Sequence, residues 1–226
     1  MKKVFIGAGH GGTDSGAVAR DKQLEKNLNL SIAKACGAYL TARGVSVKYS
    51  RTNDQDDPVA QEVAECNSFA PDLAVDIHNN AGGGDGAEVF HALRGGTGAS
   101  LAINILTEIG KLGQQSRGAK TRASSGGRDY YAFIRETKAP AVIVECAFLD
   151  TADLAIIDTE AERIRMGEAI ARGILVTLGI DEKAPQSPQE PVKWYRVQTG
   201  AFRDKRNAEA EVARLARLGV TAIITT

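Results

Sequence analysis

The feature that most narrows the fold of this 226-residue chain is a regular exchange between two apolar periods over its first 180 residues. Short apolar runs at 4–6, 45–49, 73–77, 87–92, 130–134 and 141–145 read as strands. Helically spaced stretches stand between them. Leu24, Leu28, Ile32, Ala35 and Tyr39 share one helical face that Gly44 closes. Residues 59–69 stop before Pro71, and 100–112 and 160–178 supply two further helices. Strands alternating with helices at this spacing predict an α/β fold, a mostly parallel twisted sheet flanked by helices. In such folds ligands gather at the carboxyl ends of the strands.

His10 follows the first strand, His78 follows the run at 73–77, and Glu145 ends the run at 141–145. Glycine-rich loops come after both histidines (Gly11-Gly12 and Gly82-Gly83-Gly84), where the backbone can approach a ligand or bend sharply. Glu25 opens the first long helix. Two imidazoles and a carboxylate that leave a fourth position open form a catalytic zinc set. The intervals of 15 and 53 residues between them make no local motif, however. By spacing alone each histidine reads more readily as a hydrogen-bonded residue at a strand terminus than as a metal ligand. Glu25 likewise reads as a first-turn acid that favours the helix dipole.

Glu145 is the sharper anomaly, because a carboxylate closing an apolar run is costly unless it is paired or metal-linked. A buried salt bridge is its other reading. A rival nucleophile is Cys146 with a histidine base. Adjacent strand residues point to opposite faces, so Cys146 is expected as a buried core thiol if Glu145 faces the cleft.

The chain carries 28 basic and 28 acidic residues, and this balance argues against a nucleic-acid-binding or membrane-surface protein. No apolar run approaches the roughly 18 residues of a membrane span. Met1-Lys2-Lys3 and the short run after it are too brief for a signal peptide, so the chain is expected to be leaderless and cytoplasmic until release. Cys36, Cys66 and Cys146 are odd in number and widely spaced, the usage of a reducing compartment.

Pro185, Pro188 and Pro191 mark an extended linker over residues 181–192. It separates a core (1–180) from a small unit (193–226) that carries seven Lys/Arg against three Asp/Glu. That unit reads as a βαβ: a strand at 194–202, a helix at 207–218 and a strand at 220–224. Alone it is too small to bury a sufficient core and leaves a sheet edge open. It is therefore expected to pair with a second copy or to dock on the core.

The stretch Gly9-His10-Gly11-Gly12-Thr13-Asp14-Ser15-Gly16-Ala17 resembles the opening motif of the zinc-dependent N-acetylmuramoyl-L-alanine amidases of the Amidase_3 type. Residues 25–30, 50–54, 77–81, 86–90 and 140–145 resemble further motifs of that family, in the family's order. The resemblance implies Zn2+ bound by His10, Glu25 and His78, with Glu145 as the catalytic carboxylate. Asn80 matches a family asparagine beside the ligand histidine, in a supporting or substrate-binding place. His91 matches no ligand position.

Two departures bear on fine substrate preference. Asp76 stands where the family commonly has Ser, and no arginine stands near Gln61-Glu62. The substrate implied is peptidoglycan, cut between N-acetylmuramic acid and L-alanine by a phage or prophage endolysin or a sporulation mother-cell lysin. A catalytically idle wall-binding protein and a zinc peptidase acting within the stem peptide are the competing readings. The C-terminal unit resembles the first half of a SPOR domain, which implies binding of peptide-stripped glycan, with Tyr195, Gln198 and Phe202 as its contacts.

Overall fold

Val4, Phe5 and Ile6 are all fully buried, because the first strand, β1 (Lys3–Ala8), lies inside a sheet covered on both faces. The computed structural model describes residues 1–182, 200–218 and 224, which fall into two units, Met1–Ser187 and Pro188–Thr226. In the first unit the other strands are β2 (Ser46–Tyr49), β3 (Leu73–Asn80), β4 (Ala87–His91), β5 (Ser116–Lys120) and β6 (Ala141–Phe148). Among the described residues they form one six-stranded sheet in the order β2-β1-β3-β6-β4-β5. β2, β1, β3 and β6 run parallel, β4 is antiparallel to β6, and β5 is parallel to β4.

Five helices flank this sheet: α1 (Glu25–Thr41), α2 (Val59–Phe69), α3 (Thr97–Gly110), α4 (Ala132–Glu136) and α5 (Glu160–Leu178). The period-2 alternation of the strands divides the core. Ile6, Val75, Val144 and Cys146 pack with Leu28 and Ile32 of α1, Ile105 of α3 and Ile170 of α5. Phe5, Ala74, Ala141 and Ile143 face the other way, onto Cys66 of α2 and Phe133 and Ile134 of α4. Helix ends follow local chemistry. Thr159 and Glu162 form a reciprocal capping box at the start of α5, and α2 stops at Ala70, just before Pro71.

The structure corrects the expected element boundaries. Residues 130–134 are not a strand: the Arg135 and Thr137 amides donate to the Tyr131 and Phe133 carbonyls, closing the short helix α4. The sheet edge beside β4 belongs instead to β5, whose half-exposed sequence SRGAK has no apolar alternation to announce it. β3 and β6 each continue three residues past their apolar runs, so His78 and Glu145 lie inside strands. The ladder between two neighbouring strands satisfies backbone groups whatever the side chain, which carries β3 through polar His78, Asn79 and Asn80 and β6 through Glu145 to apolar Cys146, Ala147 and Phe148.

In the second unit, α6 (Lys205–Arg217) starts two residues before the expected helix, because the Asp204 side chain accepts the Arg206 amide as its cap. Residues 200–202 are not in a strand. Most of the two strands expected there lies outside the described residues, as do Tyr195 and Gln198. Among the described residues no helix is long and apolar enough to cross a membrane.

Candidate active site

β1 ends at Ala8, and the chain turns at once through Gly9, His10 and Gly11. His10 sits at φ 63°, in the left-handed region that non-glycine residues rarely occupy. Its imidazole Nε2 lies 3.3 Å from Glu25 Oε2, and its Nδ1 lies 2.8 Å from Asp14 Oδ2. His78 approaches the same carboxylate from β3, with Nδ1 3.3 Å from Glu25 Oε1 and Nε2 3.0 Å from Asp76 Oδ2. The two rings stand nearly edge to face, 5.0 Å between centroids. His78 rests on Gly9, where any β-carbon would collide with the ring.

Glu25 is fixed by more than the histidines. Its Oε2 accepts the Ala17 amide at 2.9 Å, and its Oε1 accepts the Asn79 amide at 3.0 Å and Asn29 Nδ2 at 3.2 Å. Asn29 is fully buried; it also donates to the Gly9 carbonyl and accepts from Asn79 Nδ2 at 2.8 Å. Arg51, a fully buried guanidinium, donates to the Ala8, Gly9, Lys26 and Asn53 carbonyls at 2.7 to 3.2 Å. It ties the His10 loop to the first turn of α1.

The donor atoms of His10, Glu25 and His78 lie within 4.8 Å of one another and form, among the described residues, the group able to hold a metal ion. The fit is good in two respects. Each imidazole turns one nitrogen to a Glu25 oxygen at 3.3 Å, so two nitrogens and a carboxylate of the type zinc prefers face one point. The other nitrogen of each ring is held by an aspartate, which fixes its tautomer and orientation as expected of metal-ligating histidines.

Without a cation the set polarises itself. Burial penalises the charged form of His78, but Asp76 and Glu25 outweigh that and raise it well above the ordinary histidine range. Burial pushes the Glu25 carboxyl up, and the hydrogen bonds to His10 and His78 prevail and hold it far below its ordinary value.

Glu145 stands next to this set without joining it. It is paired with His78 in the β3–β6 ladder and with Glu88 in the β4–β6 ladder. Its Oε2 is buried and accepts no hydrogen bond. Burial pushes its carboxyl up to about 7, against the His78 charge and with the help of Glu25 and Glu88. A carboxyl poised near neutrality beside a cation site can exchange protons in either direction.

Glu88 is itself buried, and Arg117 (2.7 Å) and Lys120 (2.5 Å) neutralise it. Asn80 donates to Glu88 Oε1 at 3.1 Å and accepts the Ala81 amide, and among the described residues no hydrogen bond joins it to a histidine ring. Cys146 is fully buried among the apolar residues of the opposite face, and burial raises its thiol well above the ordinary range. His91 bonds the Ala92 carbonyl and stays apart from the site.

Sequence reasoning missed Asn29 and Asn79 as the brackets of Glu25, Asp14 and Asp76 as partners of the rings, and Glu88 as the neighbour of Glu145. Asn29 carried a usable signal, standing four residues after Glu25 on the same helical face, and so did Asp76, two residues before His78 on the same strand face.

The family model described as N-acetylmuramoyl-L-alanine amidase matches residues 4–176, and that of the SPOR domain matches residues 188–226. The N-acetylmuramoyl-L-alanine amidase CwlM of Bacillus licheniformis is 33% identical over 99% of this chain and 85% of its own length. A sporulation-specific N-acetylmuramoyl-L-alanine amidase of Bacillus subtilis (strain 168) is 31% identical over 99% of this chain and 84% of its own. Among solved structures, the catalytic domain of the amidase CwlV from Bacillus (Paenibacillus) polymyxa var. colistinus superposes with a TM-score of 0.71 at 29% identity. That match covers 80% of this chain and all of the other.

Proposed function

The chain belongs to the N-acetylmuramoyl-L-alanine amidase family, and from that premise we propose that His10, Glu25 and His78 hold zinc and that Glu145 moves the proton of the reaction. The enzyme is a peptidoglycan hydrolase that cuts between N-acetylmuramic acid and the L-alanine of the stem peptide. The reading of its site is carried by one observation. Three donors of the right type converge within 4.8 Å, beside a partly buried carboxylate whose Oε2 is buried and unpartnered.

Zinc in that set supplies Lewis acidity, lowering the pKa of water to about 7 and polarising an amide carbonyl. Glu145 takes a proton from water as its oxygen adds to the lactyl carbonyl carbon. It then delivers that proton to the alanine nitrogen as the carbon–nitrogen bond breaks. The products are a lactyl carboxylate on the glycan and a stem peptide with a free N-terminus. Asp14 and Asp76 orient the two imidazoles, while Asn29, Asn79 and Arg51 fix the carboxylate and the loop that bring them together.

The C-terminal unit is read as a wall anchor for peptide-stripped glycan through Tyr195, Gln198 and Phe202, completed by a second copy of the chain. Phe202 is 46% exposed, as a ligand contact requires. Digestion of purified wall followed by end-group analysis tests the whole reading. New N-terminal alanine without new reducing sugars supports it. New ends inside the peptide indicate a peptidase, and no new ends indicate a wall-binding protein without turnover.

A further inference from the structure

A cleft of about 640 Å³ opens beside His10 and His78. Tyr131, Asp57, Glu62 and Asp76 are among the residues that line it. Glu62 and Asp76 are 5% and 4% exposed. Asp57 Oδ1, Glu62 Oε1 and Asp76 Oδ1 are buried without a hydrogen-bond partner. Oxygens of Glu62 and Asp76 crowd the same point above Gly7, where a β-carbon would strike both. Asp76 spends its other oxygen on His78. Among the described residues no lysine or arginine forms an ion pair with any of the three.

Arg51 acts on these carboxylates only through space, its guanidinium being spent on backbone carbonyls, and buried carboxylates without a direct cationic partner are costly. Burial, with the Asp76 and Asp57 charges, raises the Glu62 carboxyl well above its ordinary range. The ionised form of this cluster is therefore held back by burial and mutual repulsion, and an arriving cation would stabilise it. A bare metal ion is a poor match. The three carboxylates do not converge as a ligand group, since among the described residues His10, Glu25 and His78 alone do so. The cleft also has room for an alkyl chain, and the partly exposed Tyr131 ring in its lining suits an organic cation.

We infer that this cleft is a substrate subsite for a primary ammonium group, with Glu62 and Asp57 as its counter-charges. The inference rests on the amidase reading above, because the cleft shares His10 and His78 with the proposed metal set. Peptidoglycan offers two sources of such a group: the side-chain amine of a diamino acid in the stem peptide, and the free amine of a de-N-acetylated amino sugar. Asp76 already positions His78, so the test falls on the other two carboxylates.

The experiment compares soluble muramoyl tripeptides ending in L-lysine, with a free or an acetylated side-chain amine, on the zinc-loaded full-length chain. A second arm compares N-acetylated with de-N-acetylated glycan on the same peptide. The free amine is expected to lower KM about tenfold in one arm, naming the source. Glu62→Gln and Asp57→Asn, checked for zinc content and folding, are expected to bring that ratio toward one. Equal KM values in both arms of the wild type overturn the proposal, as does a ratio that survives both substitutions. If none of the substrates is cleaved, the amidase reading fails separately. Calorimetric binding of the same ligand pairs then decides the subsite: preference for the amine sustains it, and equal binding overturns it.

Discussion

His78 and Glu145 are direct partners in the parallel β3–β6 ladder, so a proposed metal ligand and the proposed proton carrier issue side by side from one sheet face. Neither depends on a mobile loop for its position. The sheet holds the carboxylate beside the cation site, and Glu88, paired with Arg117 and Lys120, closes its other flank.

The buried Glu145 carboxyl makes the metal-free protein sensitive to pH. Its folded value is raised from 4.5 to about 7, so the protonated form contributes stability that is fully present below pH 4.5 and lost as pH rises through 7. The loss is at most about 3 kcal/mol. Thermal melts of metal-free wild type at pH 5 and pH 8 should differ by more than those of Glu145→Gln. Equal pH dependence in the two proteins contradicts the burial of an ionising carboxyl.

Gly9→Ala should damage the site through geometry alone, because the new β-carbon would overlap the His78 ring. Metal affinity is expected to fall about 10- to 100-fold, the usual scale for disturbed ligand support. Competition with a chromogenic chelator measures it, and unchanged affinity contradicts the stacking of His78 on the Gly9 backbone.

Arg51→Lys keeps the charge and loses the planar fork that reaches four carbonyls. The expected cost is about 2–4 kcal/mol in denaturant unfolding, together with weaker metal binding because the His10 loop is released from α1. A near-neutral change in both quantities means the network is not what holds the loop.

Cys146→Ala should leave turnover on purified wall within about twofold of wild type, at a stability cost of about 1 kcal/mol for the lost sulfur. Its buried thiol faces away from Glu145 and the metal set. Abolished activity in a folded variant would revive the cysteine nucleophile.

The alternation of periods made the sheet and its long helices legible, and the helices at Val59–Phe69 and Glu160–Leu178 match their apolar patterns residue for residue. Misreading arose where tertiary context outweighs local pattern. The aromatic stretch at 130–134 coils because the edge beside β4 is already filled by β5, a strand too polar to be recognised from sequence.

The site divides in the same way. His10, Glu25, His78 and Glu145 were named from motifs, and the fold brings them to one place. Some groups that orient them left no periodic trace, because their hydrogen bonds cross long sequence gaps, while Asp14 and Asp76 stand four and two positions from the rings they hold. Asn79 reaches Glu25 across such a gap. Asp76 read as a detail of substrate preference, whereas its carboxylate is bonded to the His78 ring.

The central claim is that metal binding and proton transfer belong to different residues, and Glu145→Gln separates them. The variant should be measured at once for zinc content and for release of N-terminal alanine from purified wall. The account predicts one zinc per chain, as in wild type, with turnover reduced by about 10²- to 10⁴-fold. Near-normal turnover with full zinc would contradict it.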